Sequence, residues 1–360
     1  MIDDLRYAKK LWVDKGAARM KPSAGRAIAA VAELSAHPDI APEFSSNIAS
    51  AIRAAIPFDG WCLFGVDPLT GLRTVQFGQN GTEGTAWMAQ NEAVMHDVNN
   101  YRDLAAAAYP AGWLSRSHQA ARTSPRLNEI LLPQGYSSEL RLVLKSRGLV
   151  WGALVLFRSK PGPGFTDDDA AEICHLGEPL AQAIRTYTAR STLTPGATLP
   201  AGVINVDAAD RLSVSSEAQT WIDDLVPGGD DETYARDVTR VVFEAAHALR
   251  RGRGKDAVCT VRTVSGRWMR LEAIAQPDDS DNVTVVLHDA TASQRAGALA
   301  AYFQLTGRER QVVDQLYAGR AANQIGRKLG ISTFTVNEHL RAIYRKSGSR
   351  SRQELLARLN

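Results

Sequence analysis

The sequence predicts two α+β units in series, followed by a small all-α module. Three observations carry that expectation. Strand-like and helical apolar patterns share residues 22 to 190, and they share residues 200 to 290 again. A Pro/Gly/Thr-rich stretch, STLTPGATLPAG at 191–202, separates the two units. Beyond residue 302 apolar residues fall at helical spacing, and the charge changes sign there. Residues 302–360 hold eleven Lys or Arg against four Asp or Glu, a net +7, while the rest of the chain carries −4. The whole-chain value of +3 conceals a basic module on an acidic body, an asymmetry that points to nucleic acid at one end.

The elements follow in order. Residues 1–21 read as an extension, either a short helix with Leu5 and Trp12 on one side or a disordered segment, and Met20-Lys21-Pro22-Ser23 marks the first boundary. Ala27, Val31 and Leu34 define a first helix; Ile48, Ile52 and Ile56 define a second, which Pro57 ends. WCLFGVD and TVQFG flank the turn Asp67-Pro68-Leu69-Thr70-Gly71 and read as strands. ELRLVLKSRGLVWGALVLFR reads as two strands about Ser146-Arg147-Gly148. Thr166, followed by Asp167, Asp168 and Asp169, starts a helix running to about 188, its acidic first turn matched to the helix dipole.

In the second unit GVINVD and RLSVSS read as paired strands around Ala208-Ala209-Asp210. Two helical stretches follow, the second over 232–250, closed by Arg250 and Arg251 before Gly252. VCTVRTV and RWMRLEAIA flank the hairpin signal Ser265-Gly266, and VTVVLH is the last strand. Residues 289–301, polar and Ala-rich, read as a linking helix.

The C-terminal module is the most legible. Thr306-Gly307-Arg308-Glu309 is a capping-box pattern; Val312, Val313 and Leu316 line the helix it opens, and Gly319 ends it. Ile325 and Leu329 belong to a short second helix, and Gly330 makes a tight turn. Ser332 caps a third helix whose buried stripe is Val336, Leu340, Ile343 and Tyr344. Its opposite face presents Phe334, Asn337, Glu338, Arg341 and Arg345, and Ser332, Thr333, Thr335 and Lys346 complete the candidate set. A polar, cationic face of this kind suits a helix that reads base edges in a major groove beside phosphates. Gly348 ends that helix. Ser351-Arg352-Gln353-Glu354 opens a fourth, in which Leu355, Leu356 and Leu359 are candidates for a dimer interface.

A small helical bundle with a solvated basic face would share this amphipathicity, but the fuller pattern is more specific. Leu305-Thr306-x-Arg308-Glu309, Gly319, Ile325, Leu329-Gly330-Ile331-Ser332, Thr335-Val336, His339-Leu340, Ile343-Tyr344-x-Lys346, Gly348 and Ser351-Arg352 resemble the LuxR-type helix-turn-helix of the NarL/FixJ–LuxR superfamily. The resemblance implies a four-helix DNA-binding domain at 302–360. Two positions depart from it. Asn337 stands where the family often has Lys, and Ala321-Ala322 replaces the usual Ser-Asn, a weaker helix cap. Less sharply, PFDGWCLFGVDPLTGL, SPRLNEILLPQGYSSELRLVL and WGALVLFR followed by FTDDDAAEI resemble an actinobacterial-type group in which a GAF-like domain and a PAS-like region precede the LuxR-type domain. The order of two strands, helices and three strands at 202–291 is likewise that of a PAS-like fold. The expected organisation is an extension (1–21), a GAF-like unit (22–190), a linker (191–201), a PAS-like unit (202–291), a linker helix (292–301) and the LuxR-type domain (302–360).

A GAF-like pocket would draw on Trp61, Phe64, Trp87, Trp113, His118, Tyr136 and Trp151, although aromatic residues fill cores whether or not a ligand binds. Cys62, Cys174 and Cys259 are dispersed and form no CxxC pair, and the seven histidines form no HxH, HxxxH or HExxH pattern. No metal, cofactor or catalytic residue is expected. No run of about 18 apolar residues is present and the N-terminus lacks a signal-peptide core, so a cytoplasmic, non-membrane protein is expected. The expected partners are double-stranded DNA and a second copy of the chain, with a small-molecule effector and RNA polymerase as further candidates. The leading reading is a one-component regulator.

Rival readings find less support in the residues. A phosphorylated receiver needs an acidic pair after its first strand, and Asp3 and Asp4 precede any strand. An acyl-homoserine-lactone receptor would account for Trp61, Asp67-Pro68 and Trp87, but Gly65 stands where its tyrosine belongs. An enzyme with a partner-binding tail lacks any catalytic motif. The two α+β units could also serve as dimerisation platforms without ligand.

Overall fold

The computed structural model describes residues 21–36, 41–95, 97–116, 123–189, 198–225, 239–263, 265–276 and 279–359. The N-terminal extension, the linker core at 191–197, His118 and the start of the helix expected over 232–250 lie outside the described residues.

The first unit runs α1 (Pro22–Ala36), α2 (Ala41–Ala55), β1 (Gly60–Val66), β2 (Arg73–Gln79), α3 (Thr85–Val94), α4 (Tyr101–Ala106), β3 (Ala111–Ser115), a π-helical segment (Arg126–Leu131), β4 (Tyr136–Ser146), β5 (Leu149–Ser159), α5 (Asp167–Cys174) and α6 (Gly177–Ala189). Its antiparallel sheet has the order β2-β1-β5-β4-β3. Strand alternation sends Leu63, Leu140, Leu142, Leu154 and Leu156 to one face, against Ile48, Ile52, Leu180 and Ile184 of α2 and α6. Phe64, Val66, Val155 and Phe157 face the other way, onto Leu127 and Leu131 of the π-helical segment. Arg147 (φ 50) and Gly148 (φ 80) join β4 to β5 with the double positive φ of a type I′ hairpin turn.

Two local features depart from simple periodicity. The helix expected from Thr166 to 188 is two helices, α5 and α6. Pro179 cannot donate a backbone hydrogen bond, so it sits in the first turn of a new helix that begins at Gly177. In β5, Val150 pairs with Lys145 and Gly152 with Leu144, which leaves Trp151 as an extra, bulged residue. The bulge re-aims Trp151 into the helix-covered core, where it is fully buried.

The second unit runs β6 (Gly202–Val206), β7 (Leu212–Val214), α7 (Ser216–Leu225), α8 (Arg240–Arg250), a 3-10 turn (Gly254–Asp256), β8 (Val258–Arg262), β9 (Trp268–Gln276) and β10 (Asp279–Asp289). Its antiparallel sheet has the order β7-β6-β10-β9-β8, the same relative arrangement as the first. Ile204, Val206, Leu271, Val283, Val285 and Leu287 pack on Trp221, Ala245 and Ala246 of α7 and α8.

The remaining helices are α9 (Ala292–Tyr302), α10 (Gly307–Tyr317), α11 (Ala322–Leu329), α12 (Thr333–Ser347) and α13 (Arg352–Leu359). Helix α9, opened by a Thr291/Gln294 capping box, is a packed element rather than a loose tether. Its Tyr302 ring stands 5.6 Å from Trp151 of the first sheet and 6.1 Å from Trp268 of the second. Arg185 of α6 donates to the Tyr302 carbonyl at 3.2 Å. One apolar cluster therefore runs from the first sheet through α9 into the C-terminal helices.

Candidate nucleic-acid interface

Each helix of the C-terminal module starts for a local reason. Thr306 accepts from the Glu309 amide at 3.2 Å while the Glu309 carboxylate accepts from the Thr306 amide at 2.6 Å, a full capping box on α10. At α11, Ala321 offers no side-chain cap, but Gln324 accepts from the Ala321 amide at 2.9 Å and recovers half of the box. Ser332 accepts from the Thr335 amide at 3.0 Å and caps α12.

The turn between α11 and α12 depends on two glycines. Gly330 adopts φ 67, a left-handed conformation that favours glycine. Gly326 is buried inside α11, where an added Cβ would lie 2.7 Å from the Ile331 carbonyl oxygen. Its missing side chain lets the turn fold back onto the helix.

Packing fixes the orientation of α12. Val336 and Ile343 are fully buried with Val312, Val313, Leu316, Ile325 and Leu355. Arg308 donates to the Leu329 carbonyl at 2.6 Å and ties α10 to the end of α11. Arg352 donates to the Leu316 and Arg320 carbonyls at 3.2 and 3.1 Å, holding α13 to the end of α10.

The opposite face of α12 is open to solvent. Ser332, Thr333, Asn337, Glu338, Arg341 and Arg345 are exposed, Thr335 is half-buried, and Phe334 is 72% exposed at the helix start. Arg341 and Glu338 form a solvent-facing pair at 2.6 Å. Lys346 is placed differently. It is half-buried, and its Nζ lies 2.6 Å from Glu309 and 3.2 Å from the Gln304 carbonyl, so it braces α12 against the start of α10. Arg327 and Lys328, outside the sequence-derived set, are exposed in the last turn of α11 beside the turn into α12. Their proximity to Gly330 could have revealed them in the sequence. Leu355 is fully buried in the module's own core and Leu356 is half-buried; the Leu359 side chain lies outside what is described.

The aromatic pocket candidates do not converge. Trp61 and Trp151 are buried in the helix-covered core of the first unit. Trp113 donates to Asp167 at 2.8 Å, and the Tyr136 hydroxyl donates to the Asn80 carbonyl. Trp87 is half-buried. Phe64 lines a cavity of about 300 Å3 between the two α+β units. Among the described residues no group of three His, Cys, Asp or Glu could hold a metal ion, and no helix is long and apolar enough to cross a membrane. The three cysteines are free thiols.

Residues 304–359 match the family model described as bacterial regulatory proteins, luxR family. Over 56 residues the chain is 39% identical to "Putative HTH-type transcriptional regulator YhjB" of Escherichia coli (strain K12). That match covers 16% of this chain and 28% of the E. coli protein, so the chain spans little more than a quarter of that relative's length. Among solved structures, the bacteriophytochrome RpBphP3 of the photosynthetic bacterium R. palustris aligns over 76% of this chain and 64% of its own. The TM-score there is 0.34 at 10% identity, and that likeness carries no conclusion about the two α+β units. The C-terminal segment is a LuxR-type helix-turn-helix domain.

Proposed function

We propose that this chain is a sequence-specific DNA-binding regulator of transcription, in which α12 enters the major groove and the two α+β units govern the disposition of the C-terminal domain. The observation that carries this reading is the two-sidedness of α12. Its apolar stripe is buried, while Phe334, Asn337, Arg341 and Arg345 are exposed to solvent in a segment that matches the luxR family model. Asn and Arg at such positions recognise adenine and guanine edges, and an exposed Phe can meet a thymine methyl group. Arg327, Lys328 and Arg345 supply cations for flanking phosphates.

For the first and second units we propose GAF-like (22–190) and PAS-like (202–291) sensor folds. Their common sheet order, with helices inserted between the second and third strands, supports that assignment. The test is binding of full-length protein to double-stranded DNA recovered by selection from a random pool. A recovered consensus, with affinity falling by a log–log salt slope of about −0.9 per neutralised phosphate, is the expected result. Failure to enrich any sequence, or salt-independent binding, would refute it.

A further inference from the structure

Helix α12 carries one large apolar side chain that its own fold does not bury. Phe334 stands at the second position of the helix, after the cap Ser332, and is 72% exposed. Among the described residues no other large apolar side chain is so open to solvent; the next, Leu69 of the first unit, is 55% exposed. Single apolar side chains are ordinary on protein surfaces, so exposure by itself assigns nothing. The placement of Phe334 does. Ser332, Thr335 and Val336 carry the resemblance to the LuxR-type pattern, whereas Phe334, between them, does not, so its ring is a feature of this chain.

The neighbours of Phe334 are hydrogen-bonding groups. Ser332 and Thr333 precede it, Asn337 follows one turn later on the same face, and Arg341 one turn beyond that, all of them exposed. Arg341 is engaged with Glu338 at 2.6 Å. A phenyl ring among such groups has no hydrogen bond to offer to a base edge and matches apolar surface alone. The major-groove edges of the four base pairs carry one apolar group, the 5-methyl of thymine. The N-terminal residues of a recognition helix are the ones that meet base edges in that groove. Side chains three positions apart on a helix stand about 5–6 Å from one another, and successive base pairs about 3.4 Å apart. The Phe334 ring and the Asn337 amide therefore fall on one base pair or on neighbouring pairs. An A·T pair serves both, with an adenine edge for the amide and a methyl group for the ring.

We propose that Phe334 is a specificity-determining residue that recognises the 5-methyl group of a thymine, in the base pair read by Asn337 or in the pair beside it. This deepens the DNA-binding reading and rests on it. Ring and methyl exclude water from one another without giving up a hydrogen bond, whereas a cytosine at that position sets its amino group and a bare C5 against the ring. The contact involves no charge, so it adds to sequence preference and leaves the salt dependence of binding unchanged.

Deoxyuridine tests the methyl group alone, because it keeps the hydrogen-bonding edge of thymine. Each thymine of the operator recovered by selection is replaced singly by deoxyuridine, and binding of full-length parent protein and of full-length Phe334→Ala is measured on every duplex. Replacement of one thymine per half-site is expected to weaken the parent about fourfold, the equivalent of one methylene-sized group withdrawn from burial. Phe334→Ala is expected to bind the thymine and deoxyuridine operators alike, more weakly than the parent binds the thymine operator, with the parent's salt slope. Circular dichroism melting verifies that the variant is folded, and Phe334→Gln serves in its place if it is not. An operator insensitive to every deoxyuridine replacement, or a penalty that persists undiminished in the folded variant, overturns the proposal and leaves the regulator reading intact. Failure of the selection to enrich any sequence overturns both.

Discussion

On α12, Asn337 and Arg345 occupy the same exposed face but lie eight residues apart, two turns along the helix. On the proposed function, Asn337, near the N-terminal end, reads a base edge, and Arg345, near the C-terminal end, grips the backbone. Asn337→Ala is expected to lose about 1–3 kcal/mol of discrimination at one base pair, because a bidentate amide recognises an adenine edge. A binding-site selection with the variant checks this, and an unchanged consensus would exclude the reading role. Arg345→Ala is expected to weaken all sequences alike and to reduce the salt slope by about 0.9, one phosphate's worth. Lys346, next in sequence, behaves differently because it is engaged with Glu309. Burial alone would raise the Glu309 carboxyl; the hydrogen bond and charge of Lys346 and the Thr306 amide outweigh it and hold the group below its ordinary value of 4.5. A carboxyl lowered on folding contributes stability above its unfolded value and loses that contribution as the pH falls through the folded value. Lys346→Met is therefore expected to cost roughly 1.5–3 kcal/mol at neutral pH, the range for a charged hydrogen bond, and to flatten the acid limb of the stability profile. Its salt slope for DNA should match that of the parent, and denaturation measured from pH 3 to 7 checks the rest.

Within the helices, two glycines make opposite demands. Gly297 in α9 is exposed, with nothing within 4 Å of an added Cβ, so Gly297→Ala should stabilise the protein by about 0.5–1 kcal/mol. Gly326 in α11 would drive its Cβ to 2.7 Å from the Ile331 carbonyl, so Gly326→Ala should destabilise by about 1–3 kcal/mol despite alanine's better helix propensity. Chemical denaturation of the two variants gives the signs directly, and two stabilising substitutions would remove the close-approach account of the turn. The C-terminal helices were legible in the sequence because their signals are local: Thr306, Ser332, Gly330 and Gly348 sit at the ends they define. The strands from Trp61 to Gly78 and from Glu139 to Arg158 were legible for the same reason, through Gly71 and Gly148. What escaped depends on residues far apart or on register. The Arg73–Glu244 pair spans 171 positions and joins two units, so no window of sequence contains it. Aromatic content alone could not tell which face of the sheet Trp61 or Trp151 would take, and the bulge at Trp151 reverses the parity that simple alternation would assign. The segment from 82 to 135 carries short helices, a five-residue strand and a π-helical segment, none long enough to establish a period.

At the scale of the whole molecule, the DNA-binding domain is fastened to its own chain. Tyr302 is buried between Trp151 and Trp268, and α9 turns Leu299, Ala300 and Ala301 into the shared core. On the proposed function, this packing would pass a displacement of the two α+β units to α10–α13. Such a movement changes DNA affinity where two recognition helices must be spaced against one another. One helix-turn-helix covers about half a turn of duplex, whereas a two-fold pair reads half-sites about 10 base pairs apart and doubles the contact set. Of the leucines expected at a dimer interface, Leu355 is buried in the module's own core and Leu356 is half-buried. The chain is accordingly expected to bind its operator as a homodimer, with α12 of each copy in successive major grooves on one side of the duplex. An effector of the α+β units would then act by favouring the one spacing of the two domains for which it has greater affinity. Sedimentation of full-length protein with an intact operator and with an isolated half-site checks the stoichiometry. Two protomers on the intact site and weak binding to the half-site are expected; one protomer bound with equal affinity to both would refute the dimer and, with it, control of DNA binding through spacing.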